Sequence, residues 1–460
     1  MSDDASPAET DEKPRKRLGC LFYSMAALLV ILFIPMIVYQ RWYANARDDL
    51  AAEMRRIVDR GEPLWFADLA PEPPDPNENG TGIFLSAVAK LVPQSQAFYE
   101  LVAGEKPTPP GKNDFFEIAL DQNRPALELM RQAVRRPFFR LPLDYRTTQP
   151  ISIQLEPIQQ AREFSHLLKA ETLQAIGEGD NDRAVAAIVD GLLLSEMLRD
   201  EPLLITQLVR IAIAGVAIES LATLLAHVDL TPEQFAAIDE QLALMESRFR
   251  LAHAILGERA MALTTMHNLG DNLDLGDLAS GRGGGGADPG MRVLNSAPAK
   301  PYRMNDEAFM LRIMSRYLDH IDQPGPEGKQ GLQQIESEIF AAKVSFRHIL
   351  TCLLAPAVLQ CREAGLRHRQ RLANARLALR VARYRAKHGK FPGTLNAVAD
   401  EKLSTVPPDV WSGKPLVFRV LADGFTIYPV GENGVDDGGG ESPDRQEHSA
   451  TFRVQRPSAE

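Results

Sequence analysis

The sequence predicts a mainly α protein in three parts: an N-terminal transmembrane helix, an irregular, weakly solenoid-like helical domain, and a small C-terminal antiparallel β module packed on a long helix. Three observations carry this fold class. An uncharged run extends from Leu21 to Tyr39, apolar residues recur every three to four positions over most of the chain, and two alternating segments, KPLVFRVL and GFTIYPV, flank Asp423-Gly424. The expected divisions are a cytoplasmic tail at 1–18, the anchor at 19–43, a juxtamembrane helix and Pro-rich connector at 44–81, a helical domain at 82–370 and the C-terminal module at 371–460.

The anchor comes first. Nineteen residues without charge are close to what a helix needs to cross the hydrocarbon layer, and Tyr23, Tyr39, Trp42 and Tyr43 stand where an aromatic belt belongs. Lys13, Arg15, Lys16 and Arg17 precede the run, a denser cluster than the Arg41 and Arg47 that follow it. This asymmetry places the N-terminus in the cytoplasm. The run ends in Tyr-Gln-Arg-Trp-Tyr instead of a small-residue cleavage site, so an uncleaved anchor is favoured over a signal peptide.

Leu50, Met54, Ile57 and Val58 then predict a helix over 44–60, and GEPLWFADLAPEPPDPNENG predicts an extended connector. A helical pair is expected over 82–134, broken by GEKPTPPGKND. Ile158, Ala161, Phe164, Leu167, Leu168 and Ile176 mark a helix. GEGDND makes a turn, and Val185, Ile188, Leu192 and Met197 mark its antiparallel partner. Residues 203–226 are apolar nearly all round, but Arg210 and Glu219 near the middle favour a central core helix over a second span. Thr231-Pro232-Glu233 opens the next helix. Residues 268–305, with GRGGGGADPG, predict a flexible insertion. Helix resumes at Glu307–Ile321, pauses at QPGPEGKQG, and runs from Leu332 to His388 with a kink at Pro356.

Composition excludes some functions. A net charge of −10 and no basic stripe with interleaved aromatics argue against nucleic acid as a partner. Cys20, Cys352 and Cys361 make no disulfide framework. The last two stand about 13 Å apart along one helix, too far to bridge unless Pro356 breaks it sharply, so free thiols are expected.

Candidate chemistry is sparse, and no catalytic residue is assigned. Glu163 and His166 form one Glu-x-x-His pair, half of a di-iron motif, with no second copy in the chain. A polar pair beside an apolar face is the favoured reading. The run from Gly281 to Gly286 meets G-x-G-x-x-G by composition alone, and Gly325-Pro-Glu-Gly328-Lys329 lacks the Ser or Thr of a phosphate loop. Arg367, Arg369, Arg371, Arg376, Arg380, Arg383 and Arg385 make a basic helix, read as a solvated face opposite Leu372, Ala375, Leu379 and Ala382.

In the tail, Gly389 suits a helix cap with Pro392 beyond it, a short helix starts at Thr394, and ATFRVQ supplies a third strand. Ala378 to Pro392, Asp409-Val410-Trp411-Ser412-Gly413-Lys414-Pro415-Leu416, Tyr428 and the loop Gly431 to Gly440 resemble the C-terminal half of the major pseudopilin of type II secretion. The whole chain also resembles a family of uncharacterised bacterial membrane-anchored proteins. The pseudopilin likeness implies calcium in the acidic loop, with Asp436, Asp437 and Asp444 standing where its ligands would be, whereas the residues themselves lack the spaced Asp-x-Asp-x-Asp-Gly pattern and predict no cofactor. Carboxylates and glycines in a loop suit that ion. The other reading is an acidic turn kept soluble by its charge.

Together these features predict a non-catalytic interaction or scaffold protein, single-pass in the bacterial cytoplasmic membrane, with its C-terminal domain periplasmic. Its expected partners are the lipid bilayer, through residues 21–39, and other envelope proteins, secretion or assembly components among them. The alternative is a membrane-anchored hydrolase with its active site in the helical domain.

Overall fold

The computed structural model describes residues 14–72, 74–103, 113–153, 155–268, 294, 296–345, 348–400, 403–436, 438–439 and 450–456. The chain is mainly helical, and its strands form one small antiparallel sheet. Helix α1, Pro14–Asp59, joins the apolar run and the juxtamembrane segment without a break, with Pro35 inside it. Its apolar stretch is not buried against the rest of the protein. Further along, Ala46, Leu50 and Ile57 are buried in the body.

Residues 82–134 form three helices instead of the expected pair: α2, Thr81–Val88, α3, Gln96–Ala103, and α4, Asp114–Val134. Asn113 caps α4 by accepting from the Phe115 N–H at 2.9 Å. Then α5, Glu156–Glu178, and α6, Asn181–Met197, pair across the Gly-Asp turn as the spacing predicts. Both pack on α7, Leu204–His227, and α8, Pro232–Arg248, lies beside α6. Thr231 and Gln234 cap α8 reciprocally.

Among the described residues, three segments are long and apolar enough to cross a membrane: the start of α1, α7, and Ile349–His388. Helix α7 is enclosed by α5, α6, α9 (Ala252–His267) and the long final helix, and its Arg210 is buried against Glu196 at 2.8 Å. Of the two charges that spoke against a second span, Arg210 is thus built into the core, whereas Glu219 is exposed and pairs with Lys169 at 3.1 Å.

Helix α10, Lys300–His320, starts earlier than the periodicity suggests, because Pro301 sits in its first turn, where a missing N–H is harmless. Most of the Gly-rich insertion lies outside the described residues. The predicted long helix over 332–388 is three helices: α11, Gly325–Val344, α12, Ile349–Leu354, and α13, Val358–His388. Pro356 falls in the link between the last two. A side chain from elsewhere starts α12: buried Asp306 accepts from Leu350 N at 2.8 Å and Thr351 N at 3.1 Å. Such capping is invisible to local pattern.

The sheet has the order β1 (Val417–Leu421), β2 (Gly424–Tyr428), β3 (Phe452–Gln455). Leu421 pairs with Gly424, so the hairpin turns at Ala422-Asp423. Gly424 is needed for a different reason: a Cβ there would lie 1.9 Å from the Val454 carbonyl oxygen on β3. Phe425, Ile427, Phe452 and Val454 join one hydrophobic cluster with α13 and α7. Gly389 ends α13 at φ 70°, as its sequence position implies.

Candidate functional site

Helix α13 crosses the molecule between α7, α8 and the sheet, and it is buried on every side from Leu372 to Val381. The solvated arginine face expected there is therefore corrected. Arg376 and Arg380 are buried and converge on Asp239 of α8, with Arg376 also bonding Glu246 at 2.5 Å. A buried guanidinium needs a carboxylate partner, and α8 supplies two, one helical heptad apart. The exposed Arg383 lies over the Phe235 ring, 4.7 Å from its centroid.

On another face, Glu363, Gln370 and Asn374 form a polar stripe that holds the C-terminal module. The Trp411 indole N–H donates to Glu363 at 2.9 Å, Val410 N donates to Gln370 at 3.0 Å, and Asn374 donates to the Ala450 carbonyl at 2.8 Å. Buried Arg362 binds Glu363 and the carbonyls of Gln323 and Gly325, tying the start of α11 to the same point. Asp409 fixes the loop from within, accepting from Trp411 N, the Ser412 hydroxyl and Gly431 N. The Asp-x-Trp-x-Gly stretch thus acts as a clasp between the module and the body.

Beside this clasp opens a cleft of about 670 Å³, walled by Arg250, Asp322, Arg369, Pro324, Pro408 and Val410. The short α8–α9 link carries Arg250 at the rim, and α13 supplies Arg369. Asp322 accepts from Leu251 N and Ala252 N, capping α9, and pairs with Arg369 at 2.6 Å. Arg369 also lies over the Phe249 ring. Arg250 donates to the Phe249 carbonyl and has no carboxylate within ion-pair distance among the described residues. An exposed cation held beside a half-paired one can bind an anionic group, and the prolines and Val410 offer apolar contact. Among the described residues, a neighbouring cavity of about 710 Å³ inside the module has no ionisable side chain in its wall.

The other predicted sites are placed as follows. Asp436 accepts from the Tyr428 hydroxyl at 2.8 Å, Gly438 N at 3.0 Å and Arg419 at 2.7 Å. Its Tyr428 bond, its amide bond and Arg419 together outweigh what desolvation there is and hold its carboxyl below the usual value. Asp437 and Asp444 lie outside the described residues, and no cluster of metal-ligating side chains occurs among the described ones. The one expected ligand that is described, Asp436, is engaged by the Arg419 guanidinium. Glu163 and His166 meet at Tyr99: the phenol donates to Glu163, and the imidazole packs edge-on against the phenol ring. They line or adjoin a pocket of about 170 Å³. Cys352 and Cys361 are free.

A further polar group escaped the sequence reading. Glu201 is fully buried, accepts from Leu141 N at 2.6 Å, and leaves its other oxygen without a partner among the described residues. Burial pushes its carboxyl up to about 7. The Tyr145 hydroxyl and one Arg140 nitrogen are likewise buried and unpartnered there. The chain was compared with protein-family models, curated proteins and solved structures, and no match was found.

Proposed function

We propose that this chain is a single-pass, membrane-anchored interaction protein. Its N-terminus is cytoplasmic, its body lies outside the cytoplasm, and the cleft beside Trp411 receives an acidic segment of another envelope protein. The observation that carries the reading is α1 itself: one helix whose apolar half is not buried in the protein and whose polar half is part of the body's core. That arrangement suits an anchor that holds a rigid binding surface over a bilayer. The pseudopilin likeness of the module supports a place among secretion or assembly components, and it makes the module a cap clasped to the helical, weakly solenoid-like body.

The test is site-specific photo-crosslinking in intact cells from Ser412 at the cleft and from Phe115, exposed on α4, as the comparison. A discrete adduct from Ser412 that disappears with Arg250→Glu supports the reading. Equal adducts from both positions, or no effect of the charge reversal, sink it. A second reading, a hydrolase, rests on Glu201, whose carboxyl burial pushes up to about 7 and whose second oxygen has no partner among the described residues. Hydrolysis of a model ester or glycoside by the full chain, abolished by Glu201→Gln, would favour it.

A further inference from the structure

The cleft beside Trp411 has walls of two origins. Arg250, Asp322 and Arg369 belong to the helical body, and the loop from Pro407 to Gly413 belongs to the C-terminal module. The body wall is braced within the body: Asp322 accepts from Leu251 N and Ala252 N on the link that carries Arg250, and it binds Arg369 of α13. Asp409 keeps the shape of the opposite loop, but the clasp sets where that loop stands against the body. Val410 is bonded on both sides, its N–H donating to Gln370 at 3.0 Å and its carbonyl accepting from Gly325 N at 3.1 Å. The Trp411 indole, 3% exposed, donates to Glu363 at 2.9 Å and clusters with Leu366 and Ala450. Glu363 and Gln370 hold the module wall in place without lining the cleft themselves.

The charges in the cleft are unevenly spent. Glu246 is paired with Arg376 at 2.5 Å, Asp322 with Arg369 at 2.6 Å, and Asp409 accepts three bonds from its own module. Arg250, in the same wall, has no carboxylate within ion-pair distance among the described residues. An anionic ligand that pairs with Arg250 and rests on Pro408 and Val410 touches the body and the module at once. It gains its full contacts only while the two are held together, which is the condition for thermodynamic linkage.

We propose that ligand binding in this cleft and docking of the C-terminal module are one linked equilibrium, with Glu363 and Gln370 as positioning residues that set the affinity from outside the cleft. The inference rests on the reading of the cleft as the receptor for an acidic segment. Linkage is reciprocal: a docked module strengthens binding, and a bound ligand closes a weakened clasp.

The test uses the full chain in detergent micelles, with Trp42→Phe and Trp65→Phe so that emission reports Trp411 alone. The probe is a synthetic decapeptide of alternating glutamate and proline, with its lysine counterpart as the control. Glu363→Ala should shift Trp411 emission to the red and weaken peptide binding, by about tenfold for a clasp that is open roughly nine-tenths of the time. Saturating peptide should return that emission to the blue, an effect that a residue serving only the fold does not produce. Glu363→Gln, which keeps an acceptor for the indole, should lose less affinity. Gln370→Ala leaves the indole bond in place and should also weaken binding, so it carries the test if Glu363→Ala does not fold. Equal affinity in the wild type and the alanine variants, or a red-shifted emission that the peptide does not reverse, overturns the linkage while the docking reading stands. No binding by the wild type, or binding indifferent to Arg250→Glu, removes the docking reading and this inference with it.

Discussion

Arg380 grips both carboxylate oxygens of Asp239, at 2.8 and 3.1 Å, with neither side chain more than 2% exposed. This contact joins the first and last parts of the helical body across 141 positions of sequence.

Asp239→Ala leaves two buried guanidinium groups short of their shared partner and should destabilise the protein by about 3–5 kcal/mol. Burial works to raise the Asp239 carboxyl, and the bonds from Arg380 and Arg376 outweigh it, leaving it below its ordinary value. The stability it contributes is therefore present above that ordinary value and is lost as pH falls through the lowered one. Urea unfolding measures the loss. Replacing all three side chains with Asp239→Leu, Arg376→Met and Arg380→Met should recover most of it, because no charge is then left buried. An alanine variant with an unchanged midpoint would contradict the clamp.

Glu363→Ala strands the Trp411 indole N–H and removes one partner of Arg362. The expected loss is about 2 kcal/mol, with Trp411 emission shifting to the red as the clasp opens. Glu363→Gln retains an acceptor for the indole but takes the carboxylate away from buried Arg362, so it should fall between the wild type and the alanine variant. Equal behaviour of the two variants would show that the clasp is held by packing alone.

Asp436→Ala should cost about 1 kcal/mol or less, since its bond to Arg419 is exposed to water. The loss is expected to be the same with chelator and with added calcium. If calcium raises the melting temperature of the wild type and not of the variant, an ion displaces Arg419 and the loop is a metal clamp after all.

Glu201→Gln tests buried acidity. Between the ordinary value of 4.5 and about 7, the folded wild type holds one more proton than the unfolded chain, so this group makes stability fall as pH rises. The variant has no such proton, so above pH 7 it should be more stable than the wild type by roughly 2 kcal/mol, and the gap should close toward pH 4. A difference that does not vary with pH would place Glu201 in contact with solvent.

The helices of the core were legible where apolar spacing was regular, as in α5 and α6, and where caps were local, as at Thr231. They were misread where a distant residue decides the structure: Asp306 starts α12, and Asp239 draws Arg376 and Arg380 out of solvent. A charge run reads as a surface until its partners are known. Glu363, Gln370 and Asn374 left only a faint trace, as polar residues at intervals of seven and four on a helix that also carries Arg367, Arg369, Arg371, Arg376 and Arg380. The rim arginine and Glu201 left none, because their meaning depends on which loops fold over them.

Helices α1 and α10 run side by side in parallel, Tyr39 beside Ala297, Glu53 beside Arg312 and Arg60 beside Ser315, and this alignment fixes an altitude. Helix α10 has 21 residues, so its far end stands about 30 Å from its start at the Tyr39 level. Asp322 and the cleft lie just past that far end. If α1 crosses the bilayer as proposed, this unbroken helix would hold the cleft at that elevation above the lipid, and a partner of the proposed kind would have to reach that height, whereas one that hugs the membrane surface would pass underneath.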